Sequence, residues 1–410
     1  MILMPSLGRQ AGTLARTRKP HPMSHAAEHG EEFHDDIIYP ATIPFVIVHL
    51  VCLGAIWTGV PVKALVLCVV LYVVRMFGVT AGYHRYFSHR SFKTSRVGQF
   101  VLAWLAQSSA QRGALWWAAV HRHHHRHSDT EEDVHSPRHR GFFYSHVGWI
   151  FDRRHSATEM EAVPDLAKHP ELVFLDRFPL VPAVTLGVGC FLFGGWAGLV
   201  VGFFWSTVLL YHGTFFINSL AHVTGSQRYV TGDDSRNNWW LALITLGEGW
   251  HNNHHAYQRS TRQGFRWYEI DPTFYVLKAL SWIGVVWELG EPPAEVVRNE
   301  RKLGAAVVEK VARQLAAAFP ADRIAAQAHA ALASAPHLED VATALRGART
   351  QAAAALASVH LPHLPTLEEV RQHAERTLAR TPSLDQIAER ARQLVVEAVC
   401  ARLAEHLAPA

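Results

Sequence analysis

Residues 178–220 read FPLVPAVTLGVGCFLFGGWAGLVVGFFWSTVLLYHGTFFINSL, a block without one formally charged side chain. As a single helix it would be about 65 Å long, twice the hydrocarbon thickness of a bilayer. The Gly194-Gly195 pair supplies a break, so the block predicts an antiparallel helical hairpin, 178–194 and 196–220. A similar pair lies upstream. Residues 43–60, IPFVIVHLVCLGAIWTGV, are uncharged and span about 27 Å as a helix. A break at Gly59–Lys63 leads into a second apolar helix over 64–82, whose Arg75 reads as a side chain that snorkels to the interface. A buried hairpin in a soluble helical protein is the alternative, and two uncharged hairpins of spanning length disfavour it. The expected fold is an all-α integral membrane protein with four transmembrane helices in two hairpins.

Around these blocks the chain of 410 residues is 49% hydrophobic and 18% charged, which excludes wholesale disorder. Its 39 Lys+Arg against 35 Asp+Glu leave a net charge of +4, too balanced for nucleic acid as the main partner. The four cysteines are scattered, so neither disulfides nor a thiolate metal site are expected. Residues 1–36 read as a polar N-terminal tail, 37–303 as the membrane domain and 304–410 as an Ala-rich helical appendage. Within the appendage, Thr366–Glu369 and Ser383–Gln386, each preceded by Pro, read as capping-box helix starts, and Pro336 opens a related pattern. Arg16, Arg18, Lys19 and the Arg-rich loop from Arg112 to Arg154 fall on one side of the hairpins, and only Lys63 falls on the other. The positive-inside rule therefore puts both chain ends and a His-rich helical cap in the cytoplasm.

Histidine is the outlying residue type: 28 in all, 17 of them between His84 and His255, which is where chemistry is expected. Four clusters stand out: His84 and His89 at the end of the second span; His121, His124 and His125; Asn218 and His222 at the end of the fourth span; and His251, His254 and His255. On a helix, positions i, i+3 and i+4 share a face, so each triad is expected to project together. His84 and His89 are about 140° apart on an ideal α-helix and meet only if the helix ends or bends between them. Nine imidazoles exceed the four ligands of one zinc, which implies two metals or much redundancy, and the apolar setting favours iron with open positions for dioxygen. No His-Glu-x-x-His motif is present, which weighs against a zinc metalloprotease. His49 and His212 read as satisfied core histidines, and His123 and His127 as lying off the ligand face. Asp129, Asp133 and Glu248 are candidates for orienting ligand rings, and Trp117, Trp149 and Phe215 for lining an acyl tunnel.

The motifs HRYFSH (84–89), HRHHH (121–125) followed by RHSDTEEDVHSP, RGFFYSHVGW, NSLAH (218–222) and GEGWHNNHH (247–255) resemble the integral-membrane fatty acyl desaturases of the delta-9, stearoyl-CoA desaturase type, bacterial members in particular. The resemblance runs from about Ile37 to Pro292. It implies a non-haem di-iron centre ligated by His84, His89, His121, His124, His125, His222, His251, His254 and His255, with Asn218 reaching one iron through water; which histidine serves which iron stays open. It further implies dioxygen as co-substrate, delta-9 regiochemistry and a multi-pass location in a bacterial inner (cell) membrane. Animal acyl-CoA enzymes of this type carry Arg-Asp where this chain has Ala119-Val120, which weakens the case for CoA; Arg153 and Arg154 still suit an anionic head group. Phe215 replaces their Trp, and Val134 a usual Pro. The fatty acyl substrate is thus carried by CoA, acyl carrier protein or a lipid. No His-Pro-Gly-Gly haem motif appears, so electrons are expected from a separate ferredoxin or cytochrome b5-type protein with its reductase. A di-iron hydroxylase and a non-catalytic membrane metal-binding protein are the rival readings.

Overall fold

The computed structural model describes residues 43–333, except 153 and 155, and residues 364–406. The tail expected over 1–36, Arg153, and the pattern at Pro336 lie outside the described residues. The described residues are overwhelmingly helical; against the expected all-α fold they include a two-stranded antiparallel sheet pairing Lys93–Thr94 with Val286–Trp287.

Helix α1, Ile43–Val51, continues through a 3-10 turn, Cys52–Gly54, to Thr58. Pro61 then starts α2, Val62–Phe77, which runs on without interruption as a π-helix over Gly78–Ser88. In the second hairpin, α6 is Val181–Ala197; a further π-helical stretch, Gly198–Trp205, leads into α7, Ser206–Ser219. Gly195 has φ +60° and ψ −151°, a conformation closed to most side chains, so the expected break falls there. The chain folds back tightly: a Cβ on Gly198 would lie 2.4 Å from the Cys190 carbonyl oxygen. Two helical stretches are long and apolar enough to cross a membrane, Val62–Ser88 and Val181–His222, and Ile43–Thr58 is a shorter apolar helix. Both hairpin turns sit at the same end, where Lys63 Nζ lies 4.2 Å from the centre of the Phe193 ring. Leu50, Ile56, Val69 and Leu192 point outward, each more than half exposed, as lipid-facing side chains do. Exposed Trp57 and Trp196 flank the turns, and Trp239, Trp267 and Trp282 are exposed elsewhere in the chain.

Arg75 does not snorkel. It is fully buried, and its guanidinium donates to the carbonyl oxygens of Leu71, Ser108 and Phe203 and to the hydroxyls of Thr207 (2.8 Å) and Ser206 (2.5 Å). The reason is supply: hydroxyls and carbonyls of its own helix, of Ser108 and of the segment 203–207 meet all its donors without reaching water.

The polar end of the hairpins is capped by α3, Arg96–Gln107, α4, Ala114–His127, and α5, Pro137–His146, and by the short helix α8, His251–Ala256, with α9, Pro272–Trp282, beyond it. Tyr83, Phe87, Leu115, Leu166, Leu172 and Leu210 are the centre of the main core. The described residues beyond 304 include α10, Ala305–Ala316; α11, Ala321–Ala333; α12, Leu367–Thr377; and α13, Leu384–His406. The Thr366 capping box forms, with its hydroxyl and the Glu369 carboxylate satisfying each other's backbone N–H. Ser383 behaves differently: its hydroxyl accepts the Leu303 N–H at 2.9 Å and so ties α13 to the chain before α10.

Helix α3 packs directly on the π-helix. A Cβ on Gly78 would come within 2.8 Å of Leu105 Cγ and 3.0 Å of the Ala106 amide, neither able to withdraw. Gly78→Val should therefore cost about 1–3 kcal/mol, by overpacking, read as a lowered thermal midpoint in detergent; an unchanged midpoint would refute the close contact.

Candidate metal centre

The π-helix decides where the first two histidines point. A π-helix closes i→i+5 hydrogen bonds, and the His89 N–H donates to the His84 carbonyl at 3.2 Å. That wider winding brings residue i+5 back toward the same face, and the rings lie 4.8 Å apart. The helix ends at Ser88, so the expected end does fall between the two histidines, and the change of pitch before it helps bring them together.

The triads do not project together; each divides. His121 and His125, four apart on α4, join His84, His89 and His254 in one group whose ligand atoms all lie within 4.8 Å of one another. His251 and His255, four apart on α8, join His124 and His222 in a second group under the same limit. Helical arithmetic gives the reason: positions i and i+4 are 40° apart, whereas i+3 and i+4 are 100° apart, so the third member turns to the other side. Helices α4 and α8 thus each contribute to both groups, with His84 and His89 added from the π-helix and its end and His222 from the turn after α7.

Buried carboxylates set the rings. The Nδ1 of His222 faces Asp129 at 2.9 Å, that of His124 faces Asp133 at 2.9 Å, and that of His255 faces Asp233 at 2.7 Å. Glu248 pairs with His84 Nδ1 and with Arg85, which is itself buried and also paired with Asp271. An ionised carboxylate only accepts, so each of these Nδ1 atoms carries the proton and each Nε2 is left with a lone pair. The Nε2 atoms of these and the other clustered rings converge: His84 and His254 at 3.1 Å, His89 and His121 at 2.8 Å, His125 and His254 at 2.9 Å, and His222 and His251 at 3.1 Å. Ligand nitrogens about 2.0–2.1 Å from one metal lie about 3 Å from each other. His255 Nε2 is buried without any hydrogen-bond partner, as an atom reserved for a cation would be. The donor set fits two metals of the imidazole-binding kind.

Burial pushes the rings of His89, His121, His125, His251 and His254 well below the ordinary imidazole pKa, and the neighbouring imidazoles push them further, so they are neutral at pH 7. For Asp129, burial alone would raise the carboxyl; His222, Ser136 and the Asp234 amide outweigh it and hold the group well below the usual carboxylate range. Asp133 and Asp233 are held low in the same way, facing His124 and His255.

Asn218, Trp117, Trp149 and Phe215 all line one cavity of about 290 Å³, at the small end of ligand-site volumes. Trp117 stacks on His121, 4.9 Å between centroids, and on Tyr83. The cavity reaches from His121 and His135 at one end to Phe45, Val48, Leu180 and Tyr211, with Arg112, Asp152 and Ser156 among its polar walls. Arg154 does not line it; exposed, it pairs with Asp152. His49, His212 and His146 form a hydrogen-bonded row, 3.3 and 3.0 Å apart, that ends on Ser219, and His123 and His127 bond to Glu132, apart from both groups.

Three residues escape a reading of the sequence. Asp233 sits in an ordinary polar loop, TGDDS, and only its contact with His255 marks it. His135 packs on His124, 4.5 Å between centroids, and burial takes its pKa down to about 3, yet it is separated from every histidine cluster in sequence. Gln263 reaches His84 Nδ1 at 3.2 Å from a loop with no metal motif. The tripeptide His135-Ser136-Pro137 and the pair Asp233-Asp234 are the signals that could have drawn notice to the first two, and Gln263 has none.

A sequence model of the fatty acid desaturase family matches residues 61–282. An acyl-CoA 5-desaturase of Anemone leveillei is 37% identical over 266 residues, 64% of this chain and 82% of that protein. An sn-1 stearoyl-lipid 9-desaturase of Synechocystis sp. is 37% identical over 58% of this chain and 75% of its own length. The delta-9 acyl-lipid desaturase 1 of Arabidopsis thaliana is 37% identical over 60% of this chain and 81% of its own.

Asp133→Asn should weaken metal retention roughly 10–100-fold, as loss of a ring-orienting partner does, measured as metal content under graded chelator; unaltered retention would remove Asp133 from that role. Below about pH 6.5 the unfolded chain binds protons that the buried neutral rings refuse, and below about pH 4 the depressed carboxylates add to the loss. Both terms make stability rise with pH, so the thermal midpoint of metal-free protein should fall steadily from pH 7.5 to 5. A flat or rising midpoint on acidification would contradict the neutral-ring assignment.

Proposed function

The chain belongs to the fatty acid desaturase family and is an oxidoreductase of lipid metabolism, and on that premise we propose that it inserts a cis double bond, at the delta-9 position, into a saturated fatty acyl chain. The net change is R–CH2–CH2–R′ + O2 + 2e⁻ + 2H⁺ → R–CH=CH–R′ + 2H2O. His84, His89, His121, His125 and His254 would hold one iron, and His124, His222, His251 and His255 the other, with Asn218 near through water. Two irons there supply the oxidant that removes hydrogen from an unactivated methylene.

The observation that carries the reading is the cavity. Apolar along Phe45, Val48, Leu180 and Tyr211, it is lined by His121 of the first group and by His135, which packs on His124 of the second. An acyl chain lying in it would bring a methylene beside His121 of the first group and His135, one ring away from the second. Trp117, held between Tyr83 and His121, fixes that wall, and Phe215 and Trp149 exclude water from it. The four carboxylates keep the protons on Nδ1 and the Nε2 lone pairs inward throughout the cycle. Asp152 and Ser156, with Arg112 bonded to the Ser156 carbonyl, offer polar groups to a head group.

The same reading makes residues 43–60, 64–82, 178–194 and 196–220 four spans of a cell-membrane protein, with 304–410 a helical appendage on the histidine side. The hairpin turns, carrying Lys63 alone, lie on the far side, and the histidine face is cytoplasmic, where a separate ferredoxin or cytochrome b5-type protein delivers electrons.

Mass spectrometry of fatty acids, with double bonds located, from cells expressing the chain together with an electron donor tests this. A new internal cis double bond is expected with the intact chain and none with His124→Ala. Its lipid class identifies the carrier. Hydroxylated chains would transfer the assignment to a hydroxylase, and full activity in His124→Ala would sink the di-iron reading.

A further inference from the structure

Helix α10 lies beyond residue 282, where the family match ends, yet it touches the segments that orient the second histidine group. Its Val311, Ala312 and Leu315 share a core with Val230 and with Val370, Ile387 and Ala391 of α12 and α13. From the same helix, Lys310 Nζ donates to the Ser128 carbonyl, and Gln314 Nε2 donates to the Gly232 carbonyl at 3.0 Å. Gly232 has φ +80°, and a Cβ there would sit 3.3 Å from Lys310 Cδ, so helix and loop are in direct contact.

Each of these two anchor points is one residue from a ring-orienting carboxylate. Ser128 precedes Asp129, which accepts from His222; Gly232 precedes Asp233, which accepts from His255. The two carboxylates are also linked, because the Asp234 amide donates to Asp129 Oδ2 at 2.7 Å, the oxygen that receives His222. Within the loop, the Thr231 and Ser235 hydroxyls both donate to Asp233 Oδ1 at 2.6 Å and leave Oδ2 to His255. Glu248, the acid of the first group, is held instead by Arg85 from the π-helix.

We propose that α10 is a positioning element for the second histidine group alone: Lys310 and Gln314 clamp the backbone that carries Asp129 and Asp233, and through them fix the rings of His222 and His255. This rests on reading that group as a metal site. A ring-orienting partner that is free to move loosens its ligand, so the clamp controls how firmly one of two metals is kept.

The test follows iron release from the purified full-length protein into excess chelator, with metal per chain and the Mössbauer spectrum recorded along the time course. For Lys310→Met/Gln314→Ala, one of the two irons should leave roughly 10–100-fold faster, as expected of a lost ring-orienting shell, while the other keeps the wild-type rate. Lys310→Arg, which retains a donor, should restore slow release, and Arg402→Ala, exposed and paired with Asp322 on the bundle, should not alter it. Should the double variant fail to insert, Gln314→Ala alone reads the same clamp. Wild-type release of both irons, or equal acceleration of both, overturns the proposal. A wild-type protein that takes up no metal would instead overturn the site reading beneath it.

Discussion

Nδ1–H donation from imidazole to a buried carboxylate is the interaction on which the centre depends. His84, His124, His222 and His255 each make it, to Glu248, Asp133, Asp129 and Asp233. It sets the tautomer, stops the ring turning and leaves Nε2 as the inward atom. Without it, the Nε2 atoms of His84 and His222 would have no reason to stay turned toward His254 and His251 at 3.1 Å. The carboxylates in turn stay charged inside the protein only because imidazoles, hydroxyls and amides surround them. Rings and acids are mutually required, and neither set is stable in that place alone.

The hairpins serve this arrangement by what they lack. With uncharged side chains along their length and both turns at one end, every polar demand falls on the opposite end, where the histidines gather. Arg75 is the exception, and its burial among Ser206, Thr207 and three carbonyls shows that one guanidinium is tolerated when the surrounding segments meet all its donors. The cavity lies at the boundary of these two regimes, apolar toward Val48 and Tyr211 and imidazole-lined at His121. That gradient is the one an acyl chain with a reacting methylene needs.

Much of this could be read along the chain. The break at Gly195, the helical hairpins, the Thr366 capping box and the membership of four histidine clusters follow from local rules: uncharged run length, glycine φ and i, i+4 spacing. The ring-orienting acids Asp129, Asp133 and Glu248 stood close to histidine motifs and could be nominated. Asp233 could not, because its partner His255 is 22 residues away and joined to it only by folding; His135 stands beside Asp133, but a lone histidine there gives no sign that its ring packs on His124. The pitch of Gly78–Ser88 also escaped, since an ideal α-helix was the only template that spacing arithmetic supplied.

The sequence by itself determined the helical class, the hairpins, the family and the types of ligand, because each rests on composition or on spacing within one helix. Only the tertiary structure decided how His121, His124 and His125 divide between two groups, which acid holds which ring, and that α10 reaches the loop carrying Asp233. Those are contacts between segments that no local periodicity encodes. A helix dictates the angles between its own side chains; which direction counts as inward is settled by what packs against it.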